Sequence, residues 1–337
     1  MGTITIMAIR IESASQDQVF VFLELQIPFH RIKDSMRSVF CFCVSLVVGA
    51  AVSLAQAAQP GVPPLSHAKL SMCDGLPCVD AEVQGKHLRL AIDTGNPNSA
   101  LNTKAAETLG LTLQPVNGAD GKPIAGFQKA TAMNVAVGDI HFKELKFLVI
   151  DLASAIKDKT FPDVDGTLAY GALKDRIAEL DYPGGDFGVS EPLTTAAASP
   201  AFCGDIALIT FGRRGPPIVT TSGFTVNGRP VSVQVDTMFT GTMLIYPTSV
   251  EKLGLTAEAQ SKQSQYFAFT DEGVEMFRAE ARQLGFGTKT LVVKAPLYFA
   301  GPKVHLPDGL FDGTVGAELL GKHKVTFDFH DNKFWLD

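Results

Sequence analysis

An internal repeat is the feature that most constrains the fold of this chain. The segment AEVQGKHLRLAIDTG (81–95) aligns without a gap to FTVNGRPVSVQVDTM (224–238), at an offset of 143 residues. Self-similarity of this kind indicates one structural unit that occurs twice. In each copy a two-residue turn, QG at 84–85 or NG at 227–228, separates two apolar runs. Because both turn residues accept positive φ, the pattern predicts a hairpin whose second strand ends on Asp-Thr.

Two further blocks extend the repeat in the same order. NTKAAETLGLT (102–112) matches YPTSVEKLGLT (246–256) at an offset of 144, and each predicts a short helix. DGTLAYGALKDRIAELDY, which starts at Asp165, matches DGTVGAELLGKHKVTFDF, which starts at Asp312, at an offset of 147. Three blocks at a nearly constant offset favour a duplicated unit over chance similarity.

The remaining segments are short, β-branched and bounded by turns, as at 145–150 and 324–329. They predict a mainly β fold with a few short helices. The repeat predicts two similar domains, at 66–190 and 215–337, joined by a linker at 191–214 that begins EPLTTAAASP. Two such units that face each other would place equivalent residues around a pseudo-twofold axis, so a site on that axis would take one contribution from each copy.

The N-terminal region reads as a leader and a secretory signal, residues 1–57. After Met36, the expected initiator, come a basic residue, an apolar stretch at 39–54 and the small-residue sequence AQA at 55–57. The alternative is an uncleaved membrane anchor, because the apolar stretch is only slightly shorter than the roughly 20 residues of a spanning helix. Cleavage predicts an exported chain, periplasmic or extracellular, with no membrane association afterwards.

Charge and cysteine usage narrow the function classes. The formal net charge of -6 and the lack of a Lys/Arg-rich run argue against a nucleic-acid partner, because phosphate neutralisation needs clustered cations. Export permits disulfides, and Cys73 and Cys78 flank a turn-prone insert that could bring them together, the alternative being free thiols. The cysteine spacing is not that of a zinc site and no histidine cluster accompanies it, so no metal is expected.

The repeated motifs bear a resemblance to a known family. Two hydrophobic residues before Asp93-Thr94-Gly95, a Leu-Gly-Leu helix and a later Asp-Gly-x-hydrophobic-Gly pattern resemble the aspartic peptidases. The chain looks closest to the retropepsin-like bacterial proteins, here with two copies fused over nearly all of 66–337. The resemblance implies two pseudo-symmetric acid-protease-type β-barrel lobes, a peptide or protein substrate and no cofactor.

The same resemblance implies the roles of the Asp-Thr residues. Asp93 and Asp236 would form the catalytic pair, with Thr94, Gly95 and Thr237 supporting it: each Thr hydroxyl braces the opposite loop, and the Gly brings its amide close to a carboxylate. This chemistry needs two carboxylates within about 3 Å that share a proton, because like charges so close cannot both ionise. Since one polypeptide carries both residues, a monomer with intrachain pairing of the lobes is expected.

The second copy departs from the pattern at Met238, which stands where the first copy has Gly95. Met keeps a backbone amide, but its side chain needs room and its φ range is narrower than that of Gly. Two functions therefore stay open: an exported aspartic endopeptidase, or a catalytically degenerate peptide- or protein-binding module on the same scaffold. An Asp236 carboxylate held beside Asp93 favours the first, and a Met238 side chain wedged between the loops favours the second.

Two hairpins are candidates for flaps over a substrate. In the first copy the candidate is 121–131, with Gly126 at its tip and Phe127 beside it; in the second it is 265–275, with Tyr266 and Phe267. Loops of this kind close over ligands and exclude water. The alternative is a pair of exposed hairpins without a gating role.

Overall fold

Strands dominate the computed structural model of this protein, which confirms the mainly β prediction. The described residues are 64–118, 120–152, 163–193, 203–210, 217–255, 263–265, 274–300 and 310–337. Within these ranges no helix combines the length and apolar character needed to cross a bilayer. The segment interpreted as leader and signal, 1–57, lies outside the described residues.

The described residues contain 21 strands and four helices. The strands are β1 (Leu65–Lys69), β2 (Ser71–Cys73), β3 (Leu76–Val83), β4 (Lys86–Asp93), β5 (Ser99–Asn102), β6 (Gln114–Asn117), β7 (Pro123–Val137), β8 (Ile140–Ile150), β9 (Gly166–Ala169), β10 (Ile177–Asp181), β11 (Asp186–Ser190), β12 (Gly204–Thr210), β13 (Pro217–Val226), β14 (Arg229–Val235), β15 (Met243–Ile245), β16 (Gln263–Gln265), β17 (Val274–Phe286), β18 (Lys289–Ala300), β19 (Gly313–Val315), β20 (Lys324–Asp328) and β21 (Lys333–Leu336). The helices are α1 (Thr103–Leu109), α2 (Tyr170–Leu173), α3 (Pro247–Lys252) and α4 (Ala317–Leu320).

The first barrel consists of six strands in the order β3-β4-β9-β5-β8-β7. A pairing between β3 and β7 closes the ring, and β2 and β6 extend it as hairpin partners. Strand β4 runs parallel to β9, whereas β5 is antiparallel to β9 and parallel to β8. Closure pairs the edge strands that an open sheet would leave exposed.

The second barrel repeats this arrangement strand for strand. Its order is β13-β14-β19-β15-β18-β17, closed by a β13–β17 pairing and extended by β16. The parallel pairs β14–β19 and β15–β18, and the antiparallel pair β15–β19, match those of the first barrel.

An interbarrel sheet of six strands joins the two barrels, in the order β1-β11-β10-β20-β21-β12. The central pair is β10 with β20, antiparallel, with Leu180 opposite Val325 and Ala178 opposite Phe327. These four side chains are buried, so this face of the sheet packs on the hydrophobic core. Strands β1, β11 and β10 precede residue 191, and strands β20, β21 and β12 follow residue 203, so each part of the chain contributes three strands.

The two hairpin turns read from the repeat are confirmed. Gln84 and Gly85 have φ of 53° and 74°, and Asn227 and Gly228 have φ of 52° and 76°. Two consecutive residues with positive φ give the turn that matches the twist of the flanking strands. Beyond each turn the residues alternate: Leu88, Leu90 and Ile92, like Val231, Val233 and Val235, are buried in the main core.

The stretch 191–214, predicted to be a linker, contains the regular strand β12. This strand pairs with β21 at Gly204 and Asp205, and with β13 from Ile206 to Thr210. The Pro-, Thr- and Ala-rich start of the stretch is typical of a linker, whereas the run that follows it, GDIALIT (204–210), is β-forming. The two short helices predicted at 102–112 and 246–256 are confirmed as α1 and α3.

Candidate active site

The two aspartates of the repeat occupy equivalent strand ends. Asp93 is the last residue of β4, opposite Ala169 on the parallel strand β9. Asp236 follows β14 directly, and its backbone N–H donates to the carbonyl of Val315 on β19 at 2.9 Å. Because each aspartate stands at the end of a strand that pairs in parallel with another strand of its barrel, regular β structure positions its backbone.

Reciprocal hydrogen bonds between Thr94 and Thr237 tie the two loops together. The Thr94 hydroxyl donates to the carbonyl of Val235 at 2.7 Å and accepts from the Thr237 backbone N–H at 3.2 Å. In return the Thr237 hydroxyl donates to the carbonyl of Ile92 and accepts from the Thr94 backbone N–H at 3.1 Å. Both threonines are fully buried, so these bonds link the barrels in a site without competing water.

Each aspartate carboxylate receives backbone donors from its own loop. The amides of Gly95 and Asn96 bond to Asp93, and those of Met238 and Phe239 bond to Asp236, the Met238 bond being 2.9 Å long. The Asn96 side chain adds a further donor to Asp93, for which Phe239 offers no counterpart. The donors come from the second and third residues after the aspartate in both loops.

Burial disfavours the ionised form of both carboxyl groups, and the charge of Asp236 adds to this effect at Asp93. Burial, followed by the charge of Asp236, raises the pKa of Asp93 to about 8. Burial also raises the pKa of Asp236. Asp93 is only 7% exposed, whereas Asp236 is more accessible. Two carboxyl groups that disfavour double ionisation can share one proton, which is the requirement for a general acid and a general base in one site.

Gly95 lies against the carboxylate of the opposite barrel. A Cβ atom at this position would fall 2.3 Å from Cγ of Asp236 and 2.6 Å from each of its oxygens. The φ of Gly95 is not left-handed, so the glycine is required here for space and not for backbone conformation. Gln234 secures the same loop from across the interface, because its side-chain amide donates to the Gly95 carbonyl at 2.8 Å.

Met238 occupies the matching place in the second loop without positive φ. Its side chain crosses to the first barrel and packs against a small cluster formed by Cys78, Ala91 and Val164, which Cys73 also contacts. Cys73 and Cys78 are joined by a disulfide across the β2–β3 hairpin, with their Cα atoms 5.9 Å apart. The expected conflict between Met238 and its backbone conformation is therefore not observed.

Three residues of this region escaped the sequence interpretation. Asn96 directly follows the Asp-Thr-Gly motif, and Gln234 faces outward two residues before Asp236, so strand alternation could have identified Gln234. Tyr182 gave no signal: its hydroxyl is buried without a hydrogen-bond partner among the described residues. Burial and the charge of Asp236 raise the pKa of Tyr182, which places this phenol in the electrostatic surroundings of the pair.

The structure describes the flap candidates of the first hairpin, Gly126 and Phe127. The first hairpin turns between the end of β6 and the start of β7, where the Gly118 N–H donates to the Lys122 carbonyl, so the expected tip at Gly126 is wrong. Gly126 and Phe127 lie within β7, and Gly126 has a φ of 78° beside a register shift, the sign of a bulge that the sequence presents as a turn. Tyr266 and Phe267 lie outside the described residues.

One cluster of potential metal ligands occurs among the described residues, in the turn between β20 and β21. Ligand-capable atoms of Asp328, His330 and Asp331 lie within 4.8 Å of one another. One oxygen of Asp328 accepts the backbone N–H groups of His330 and Asp331, at 3.1 and 2.8 Å. Asp181 makes the equivalent bond to Gly184 in the turn between β10 and β11, so this hydrogen bonding belongs to the turn.

Comparison with known proteins bears on the first barrel. No curated protein matches the chain. Residues 79–171 match a protein family described as aspartyl protease, and the match contains Asp93, Thr94 and Gly95. Over this segment, whose Asp-Thr-Gly loop meets Asp236 and Thr237 of the second barrel, the chain is similar to the aspartyl proteases.

Proposed function

We propose that this protein is an exported aspartic endopeptidase that hydrolyses peptide bonds with Asp93 and Asp236. The observation that carries the proposal is the pair of carboxyl groups from equivalent strand ends, of which one is buried and is influenced by the charge of the other. Structural ion pairs also perturb pKa values, but here no cation accompanies the two carboxylates among the causes of either shift.

The reaction needs one proton shared between the two carboxyl groups. The ionised carboxylate takes a proton from a water molecule, whose oxygen attacks the peptide carbonyl carbon, while the protonated carboxyl gives its proton to the carbonyl oxygen. A tetrahedral diol forms. In its collapse the protonated carboxyl gives its proton to the amide nitrogen, the C–N bond breaks, and one diol hydroxyl gives its proton to the ionised carboxylate, so the pair returns to its singly protonated state.

The two-copy organisation is part of the proposal. The identical strand order of the two barrels supports a retropepsin-like unit duplicated and fused within one chain, each copy supplying one aspartate. Because both aspartates and both bracing threonines belong to one polypeptide, the site needs no second chain, and we propose a monomer that acts on peptides or proteins.

Export is supported by two independent features. The segment from Met36 to residue 57 has the sequence of a secretory signal. The disulfide between Cys73 and Cys78 suits an oxidising compartment such as the periplasm or the extracellular space.

The alternative is a binding module whose pair has lost activity. The crossing of the Met238 side chain to the first barrel favours this alternative, because a large side chain stands where the first loop has Gly95. Two observations favour catalysis instead: the electrostatic interaction of Asp236 with Asp93, and the reciprocal threonine bonds that hold both loops.

The test is hydrolysis of a mixed peptide library by the chain that starts after residue 57, from acidic to neutral pH. Asp93→Asn and Asp236→Asn should each lower kcat/KM by at least about 100-fold, because each removes one acid–base partner. Activity that survives either change would remove that residue from the mechanism. No hydrolysis by the wild-type chain at any pH, together with peptide binding, would establish the binding module.

A further inference from the structure

The Met238 side chain packs against a small buried cluster of the opposite barrel. The cluster consists of Cys78, Ala91 and Val164, which are 0%, 0% and 6% exposed, and Cys73 also packs against it. Cys78 and Ala91 are paired residues of β3 and β4, and Val164 precedes β9. All of them belong to the first barrel, whereas Met238 lies in the loop of the second. We call this group of four residues the Met238 socket.

The socket lies on the outer face of the first barrel. Along β4 the side chains of Leu90 and Ile92 belong to the main core, and Ala91 between them faces the other way. An alanine that points out of a barrel is usually exposed, yet Ala91 has no exposed surface. Its small side chain belongs to the cluster against which Met238 packs, so we infer that a larger residue here would take the place of the Met238 side chain.

One backbone hydrogen bond, from Met238 to Asp236, connects the socket to the carboxyl pair. The Met238 N–H donates to Oδ1 of Asp236 at 2.9 Å, so the place of the Met238 main chain decides where this donor lies. The Asp236 carboxylate also lies against Gly95, where an added Cβ would fall 2.3 Å from its Cγ. A shift of Met238 would therefore withdraw the donor or press the carboxylate against Gly95.

We propose that Met238 is a positioning residue for Asp236, anchored by its side chain in the socket of the opposite barrel. This inference rests on the proposed function and extends it: the residue that replaces glycine in the second loop acts as an anchor between the barrels, through the carboxylate to which its amide donates. The geometry needs no contact of Met238 with substrate.

A double-mutant cycle tests the anchor. Ala91→Leu fills the socket and should displace Met238, which lowers kcat/KM about tenfold or more, mainly through kcat, because the misplaced group is Asp236. In a Met238→Gly background nothing remains to be displaced, so Ala91→Leu should add less than about twofold. Arg89→Leu, a similar change at an exposed position on the same face of β4, is the matched control.

Two spectroscopic readouts keep the test independent of hydrolysis. The methyl resonance of Met238 and the carboxyl titration of Asp236, both followed by ¹³C NMR, should move in Ala91→Leu and stay in place in Arg89→Leu. Should Ala91→Leu fail to fold, Ala91→Val applies the same test with a smaller, strand-forming side chain.

The inference is overturned if Ala91→Leu leaves both signals unchanged, or if its effect is as large with Met238→Gly as without it. A wild-type chain that hydrolyses nothing would sink the proposed function instead, and the two NMR signals would still decide whether the socket positions Asp236.

Discussion

The two Asp-Thr loops share one backbone arrangement and differ in the side chains that surround it. In both, amides of the second and third following residues bond to the carboxylate, and a threonine crosses to the partner loop. The first loop then continues with Gly95 and Asn96, and the second with Met238 and Phe239. The backbone network is thus compatible with very different residues, provided that space is made elsewhere.

The residue two positions before each aspartate belongs to the contact with the loop of the opposite barrel. Gln234 on the second barrel reaches the Gly95 carbonyl, and Ala91 on the first barrel leaves room for Met238. A large residue faces the glycine, and a small residue faces the methionine. The departure from Asp-Thr-Gly in the second loop is therefore matched by a complementary residue in the opposite barrel.

A larger side chain at Gly95 tests most directly whether the two loops differ in the space that they need. Gly95→Ala puts a Cβ only 2.3 Å from Cγ of Asp236, so the carboxylate must move. We expect kcat/KM to fall at least about 100-fold, because a displacement of about 1 Å in a catalytic group has an effect of this size. Peptide hydrolysis measures it, and the comparison variant Met238→Ala should lose about tenfold or less.

If Gly95→Ala and Met238→Ala were equally active, the two loops would not differ in their need for space. The asymmetry between the loops would then have no consequence for the reaction.

Substitution of the two threonines tests the reciprocal hydrogen bonds that both loops share. Thr94→Val and Thr237→Val keep the side-chain size but leave a buried carbonyl and a buried N–H of the other loop without partners. Each change should lower the free energy of unfolding by about 2–3 kcal/mol, by similar amounts because the bonds are reciprocal. Denaturant unfolding measures this, with Thr131→Val on the exposed side of β7 as control. A large difference between the two variants would contradict the shared arrangement.

Much of this architecture could be predicted from the sequence because the repeat preserves local signals. The QG and NG turns, the alternation that ends at each aspartate and the short helices are all properties of neighbouring residues. Contacts between the barrels are not local. Nothing in the order of residues shows that Ala91 faces Met238, that Gln234 reaches Gly95, or that the Tyr182 phenol lies near Asp236.

Two errors have the same origin. Gly126 resembles a turn residue, but its positive φ serves a bulge inside β7, and only the pairing with β6 reveals this. β12 follows a linker-like composition, and its strand character depends on β13 and β21 on either side. The expectation for Met238 was that its side chain needs room and that its φ range is narrow; its φ is not positive, and its side chain packs against Cys78, Ala91 and Val164.

The raised pKa of the buried Asp93 predicts that the stability of the protein depends on pH. The pKa of Asp93 is raised to about 8, compared with about 3.9 for an unfolded chain. The folded state therefore holds this proton more tightly, and the contribution of Asp93 to stability is fully present below about pH 4 and is lost as the pH rises to about 8. Asp93→Asn is neutral throughout, so it should be more stable than the wild type at neutral pH by about 1–2 kcal/mol.

Thermal or denaturant unfolding between about pH 4 and pH 8 checks this expectation. The advantage of Asp93→Asn should shrink as the pH falls, and Asp80→Asn, at an exposed carboxyl group on β3, should show no such trend. A variant that is less stable than the wild type at neutral pH would show that the Asp93 charge is compensated in the folded state.

The smallest expected effect concerns Asn96, the one side-chain donor that distinguishes the two carboxylates. Its hydrogen bond lowers the pKa of Asp93 and so opposes burial, whereas Phe239 offers Asp236 no such bond. Asn96→Ala should raise the pKa of Asp93 further and move the alkaline limb of the pH profile of kcat/KM, where the shared proton is lost, to higher pH, by less than about one unit. The limb belongs to the pair as a whole, since the two groups titrate together. Asn98→Ala, an exposed change in the same loop, serves as control. A limb that moves to lower pH in Asn96→Ala would show that Asn96 favours the neutral carboxyl, and the first loop would then stabilise the acid instead of the base.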